Sequence, residues 1–139
     1  MKVSRFALPQ DEMAFRKIYR VFLEQETVTT VFRPGRRLCG DYRGYSVGQI
    51  VKARVIDQLG LDRTRVGPIF LPKPVKLIKM VSIETRVIGS LVADDFQGST
   101  PDVHDQTTLV FHLGLIYNLD PQSLAGNSVV TRICFTYER

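Results

Sequence analysis

The chain has 139 residues, 44% of them hydrophobic and 24% charged, with a formal net charge of +5. A chain of that length makes one domain, spanning residues 1–139, that buries roughly 70% of its unfolded surface, and its composition excludes disorder. It has no apolar run long enough to span a membrane, and MKVSRFALPQDEM has no apolar leader core, so a cytoplasmic protein with no membrane partner is expected.

In chain order, Lys2 to Leu8 alternates loosely and reads as a first strand ending at Pro9. Asp11 to Gln25 turns helical, with Ala14, Phe15, Ile18, Tyr19, Val21 and Phe22 making a wide apolar face and Arg16, Lys17 and Arg20 a solvated one. The β-branched run Thr27 to Phe32 predicts a strand carrying Thr27, Thr29, Val31 and Arg33 on one face. Pro34-Gly35 ends it, and Arg36 to Tyr45 is a loop. Ile50 to Ile56 predicts the next strand, with Val51, Ala53 and Val55 on one face and Lys52 and Arg54 on the other.

Leu59 to Pro74 is rich in Gly and Pro and predicts an irregular excursion. Val75 to Val92 then places Val75, Leu77, Val81, Ile83, Thr85, Val87 and Leu91 on one phase; its length predicts a bend, bulge or break near Lys79 or Gly89. Asp94 to Phe96 reads as a helical turn. Thr100-Pro101-Asp102 has the hydroxyl, proline and acid of a helix start, and that helix is predicted to reach about Asn118. Pro121 to Asn127 breaks the chain before a last strand, Ser128 to Tyr137. The class is therefore α+β: a mostly antiparallel set of strands, including one long bent strand suited to a small β-barrel, with two flanking α-helices.

Charge is concentrated in the middle. Between Arg33 and Arg86 there are twelve Lys and Arg against four Asp and Glu; the rest of the chain has seven against ten. Clustered cations favour a polyanionic partner, although a solvated basic face would give the same count. The stretch Thr29 to Asp57 interleaves its cations with aromatics, and strand periodicity divides it into a wall (Thr29, Arg33, Lys52, Arg54) and a rim (Arg36, Arg37, Tyr42, Arg43, Tyr45). Guanidinium forks suit phosphates, and tyrosine faces suit unpaired bases, so single-stranded or structured RNA, or a nucleotide, is the expected partner.

Other chemistries find less in the sequence. Asp94, Asp95, Asp102, His104 and Asp105 read as acids at helix starts, and neither cysteine stands in a metal-ligating spacing, so no metal and no cofactor is expected. Cys39, flanked by Arg36, Arg37 and Arg43, is a weak candidate nucleophile; a small residue under a loop is the plainer reading.

The element order, the TVTTVFR strand, the turn SVGQIVKARVI, the LVADDF turn and the late helix leading into a final strand together resemble the ASCH domains of the PUA-like superfamily. That resemblance implies a small β-barrel flanked by helices, with a cleft proposed to bind RNA. Some small members are amidohydrolases on modified cytidines and use a lysine, a threonine and a glutamate; members share a G-x-K-x-x-[ET]-x-R pattern. Here the arginine matches as Arg33 and the hydroxyl as Thr29 or Thr30, with Asp94 or Asp95 as the late carboxylate. The lysine position falls on Thr27 or Val28 and the glycine is missing, which argues against catalysis and for binding. The alternatives are a small hydrolase acting on a modified nucleoside through Thr29, Thr30, Asp94, Asp95 or Cys39, and a protein-interaction or oligomerisation domain.

Overall fold

The computed structural model describes residues 11–38, 44–58, 69–117 and 128–138. The strand expected at Lys2 to Leu8, the loop residues Cys39, Tyr42 and Arg43, most of the Gly/Pro-rich excursion, and the break from Pro121 to Asn127 lie outside the described residues.

The described chain runs β1 (Glu12–Arg16), α1 (Arg20–Glu24), β2 (Thr30–Pro34), β3 (Ile50–Gln58), β4 (Ile69–Phe70), β5 (Lys76–Val87), α2 (Gln106–Tyr117) and β6 (Val129–Tyr137). Short 3-10 turns stand at Lys17–Tyr19, Ile88–Ser90 and Ala93–Phe96. Among the described residues the six strands form one sheet in the order β1-β3-β5-β6-β2, with β4 paired to β3. All pairs are antiparallel except β1 with β3. The molecule is thus α+β with a mostly antiparallel sheet, and the hydrogen-bonded path is open, with β1 and β2 as its ends.

The helix expected from Asp11 is replaced by strand β1, a 3-10 turn and the five-residue α1. The apolar residues here come in adjacent pairs (Ala14-Phe15, Ile18-Tyr19, Val21-Phe22), so both periods fit, and the edge of β3 decides by taking Glu12–Arg16 in parallel register. Met13 and Phe15 are buried by the strand period, while Ile18 and Val21 stay exposed. β3 keeps its expected phase, with Val51, Ala53 and Val55 fully buried.

In β5 the expected phase is reversed over the first half: Ile78 and Met80 are buried, and Leu77 and Val81 face out. Both phases are apolar there, and the register against β3 selects one. A bulge between Met80 and Ser82 and the turn at Ile88–Ser90 supply the expected bend and break. In the last strand Val130, Ile133 and Phe135 are buried and Val129 is exposed.

The second helix starts at Gln106 rather than beside Pro101. The Asp105 carboxylate accepts the Thr108 N–H at 2.8 Å and caps it, whereas Thr100 donates its hydroxyl to Asp102 at 2.6 Å in a turn ahead of the helix.

Two apolar clusters hold these elements. One lies on one side of the sheet, with Met13, Phe15, Val31, Val51, Val55, Met80 and Phe135. The other lies between α2, the 3-10 turns and the reverse face of β2 and β6, with Phe32, Ile88, Phe96, Leu109, Leu113 and Val130. Strand β2 is therefore covered on both faces. No helix among the described residues is long and apolar enough to cross a membrane.

Candidate functional site

Among the described residues no strand ladder joins the two ends of the sheet. Instead Arg33, on β2, reaches across to β1, donating from Nη2 to the carbonyl of Ala14 at 3.0 Å and from Nη1 to that of Phe32 at 3.2 Å, with its guanidinium 5.5 Å from the centre of the Phe15 ring. Beside it opens a pocket of about 140 Å³, lined by Ala14, Phe15, Arg16 and Tyr19 on one side and by Val28 and Thr30 to Arg33 on the other. Ser99, Thr100, Val103, Leu109 and His112 complete it from the α2 side. That volume is on the order of one six-membered ring, and the floor is largely apolar.

The charge balance of the pocket differs from that of the surrounding surface. Lys17, Arg20, Lys52, Arg54, Lys76, Arg86 and Arg132 each have a carboxylate within ion-pair distance. Among the described residues neither Arg16 nor Arg33 has one. The fields of both guanidiniums reach Tyr19 and His112.

Tyr19, Asp102 and His112 form one cluster. The Tyr19 hydroxyl donates to Asp102 Oδ2 at 2.6 Å and lies 3.1 Å from His112 Nδ1. Burial, then the bond to Asp102, pushes the Tyr19 hydroxyl well above its ordinary range. Burial also tends to raise Asp102, but hydrogen bonds from Thr100 and Tyr19 outweigh it, so the net direction is downward and the carboxylate is ionised at neutral pH. Burial holds His112 below its ordinary value, with Arg33 and Arg16 adding to the effect and Asp102 opposing it.

Of the expected wall, Arg33 alone lines this pocket. The Thr29 and Thr30 amides both bond the Gly98 carbonyl; Thr30 lines the pocket, but its hydroxyl donates to Gln97 O at 2.8 Å. Lys52 pairs with Asp11 at 3.2 Å. Arg54 pairs with Glu12 at 3.2 Å, donates to Leu71 O and stacks over Phe70, so it fastens β4 to β3 and β1.

Of the rim, Arg36 is exposed, and Arg37 donates to Pro34 O from its side chain and to Thr131 Oγ1 from its backbone. Tyr45 belongs to the core rather than to an exposed rim: it is 7% exposed and its hydroxyl donates to Glu12 O at 2.7 Å. Its segment rejoins the fold through a bridge with Leu38, which carries the ring inward.

Asp94 is exposed in the Ala93–Phe96 turn. Asp95 accepts the Val92 N–H, which first of all holds its carboxyl below the usual range, and Arg86 and Arg132 act in the same direction. Arg86 grips it with two bonds of 3.1 and 3.2 Å. Asp95 is a tie between the turn, β5 and β6, not a carboxylate poised for proton transfer. Among the described residues no three His, Cys, Asp or Glu side chains group as metal ligands.

Sequence reasoning missed Tyr19 and Arg16, assigned to faces of a helix, and His112 and Asp102. No motif marks them, because the hydrogen bonds joining them span 83 and 93 residues.

No family model and no curated protein matches the chain. Its fold is similar to that in the crystal structure of protein EF3133 from Enterococcus faecalis V583, of family DUF984, with a TM-score of 0.53 and 10% sequence identity. The match covers 86% of this chain and 69% of that one. At that identity the likeness is one of fold.

Proposed function

We propose that this chain is an RNA- or nucleotide-binding module of PUA-like, ASCH type, in which the gap between β1 and β2 is the binding cleft and the open sheet is an incompletely closed barrel. The observation that carries this reading is the pair Arg16 and Arg33. Two guanidiniums without carboxylate partners among the described residues flank an apolar, ring-sized pocket, whereas Lys52, Arg54, Arg86 and Arg132 are each neutralised by a neighbouring carboxylate. A phosphate beside the guanidiniums and a base in the pocket satisfy both halves of that arrangement. Ser99 and Thr100 add hydroxyls able to bond sugar or base.

Hydrolysis through Thr30 or Asp95 has less support, since both are held by structural hydrogen bonds. Fluorescence anisotropy with a labelled single-stranded hexaribonucleotide tests the proposal. Binding is expected to weaken by tenfold or more between about 50 and 200 mM salt, and no binding at the lower salt contradicts it.

A further inference from the structure

Tyr19 has one hydroxyl proton, and the short contact to an ionised carboxylate fixes it on Asp102. The contact to His112 Nδ1 at 3.1 Å must then be made with a proton from the imidazole. The second nearby acceptor, Asp102 Oδ2 at 3.6 Å from the same nitrogen, favours the same tautomer. Neutral His112 therefore carries its proton on Nδ1, and Nε2 holds an unshared pair. Nε2 has no partner among the described residues and is not one of the buried polar atoms sealed from solvent, while the ring lines the pocket.

We infer that His112 Nε2 is the specificity-determining acceptor of this pocket, held there by Tyr19 and Asp102 as positioning residues, and that it selects nucleotides whose base presents an amino N–H. This rests on the nucleotide function proposed above. The remaining groups divide the labour: Arg16 and Arg33 offer donors and positive charge, which suit a phosphate and are indifferent to the base. A base with an amine in reach gives Nε2 its missing donor; a base without one leaves the acceptor unsatisfied on binding. The charged and titratable groups facing the ring are Asp102, Tyr19, Arg33 and Arg16. On protonation Nε2 becomes a donor and the preference is lost.

The test compares the affinity of adenosine 5′-monophosphate with that of purine riboside 5′-monophosphate, and of cytidine 5′-monophosphate with its 4-desamino analogue, at about pH 8 and about pH 5. For the wild type, removing the amine is expected to weaken at least one of the pairs about tenfold at the higher pH and by a smaller factor at the lower. His112→Asn keeps a donor at the Nδ1 position and removes the Nε2 acceptor. It is expected to bind both members of each pair about equally at both pH values, which also controls for the phosphate's own titration.

The wild-type comparison stands without the variant should the variant not fold. Equal affinities within both pairs for the wild type, or the same amine preference in wild type and His112→Asn, overturn the inference while leaving the nucleotide function intact. No binding of any of the four ligands at about 50 mM salt overturns the inference, and only if the hexaribonucleotide also fails to bind does the proposed function fall with it.

Discussion

Arg33 meets two carbonyls at the open ends of the sheet with a rigid fork, and it still presents positive charge to the pocket. A lysine would keep the charge but not both bonds. Arg33→Ala is predicted to weaken single-stranded RNA about tenfold and to lower the slope of log affinity against log salt by about one; Arg33→Lys should recover the slope but only part of the affinity. Lys52→Ala removes an exposed cation already paired with Asp11 and should change affinity less than about twofold.

His112 gives a pH prediction of definite sign. Its folded value lies below the ordinary 6.5, so the unfolded chain binds more protons in the interval between the two. Its contribution to stability is present above about pH 6.5 and is lost as the pH falls through the folded value. Urea denaturation should show wild-type stability declining from pH 7 towards 5, and a flatter profile for His112→Asn.

At the scale of elements, the turn holding Asp95 and Gly98 clamps β2, β5 and β6 together. Gly98 has φ +82°, its carbonyl accepts the amides of Thr29 and Thr30, and a Cβ there would run into the Thr29 hydroxyl. Gly98→Ala is predicted to cost about 1 to 3 kcal/mol in chemical denaturation. Asp95→Ala strips the carboxylate from Arg86 and the acceptor from the Val92 N–H, while Arg132 keeps Glu84, and should cost about 2 kcal/mol by the same measurement.

These elements also show where the sequence is informative. β3 is legible because Lys52 and Arg54 mark one of its phases as outward-facing while Val51, Ala53 and Val55 fill the other. β1 and the first half of β5 are not, since adjacent apolar residues satisfy two periods or two phases, and pairing with β3 decides. The start of α2 misleads because Thr100 and Asp102 look like a cap but hydrogen-bond to each other and to Tyr19, and Asp105 caps instead. Arg33 is legible from strand periodicity. Arg16, Tyr19, Asp102 and His112 are legible only once the sheet brings β1 and β2 to opposite sides of one gap.

For the whole molecule, the central claim is that the break in the sheet is the site. The basic middle of the chain contributes less to it than its charge count suggests, because Lys52, Arg54, Lys76 and Arg86 are neutralised where they stand. Two arginines from strands at opposite ends of the sheet path, seventeen residues apart in sequence, supply the charge that lines the pocket. The most direct measurement is the affinity of a single-stranded hexaribonucleotide for the wild type, for the double variant Arg16→Ala/Arg33→Ala, and for Lys52→Ala, at about 50 mM salt with folding verified by circular dichroism. Wild type and Lys52→Ala are expected to bind within about twofold of each other, and the double variant to lose about thirtyfold or more. A folded double variant that binds as well as the wild type would contradict the central claim.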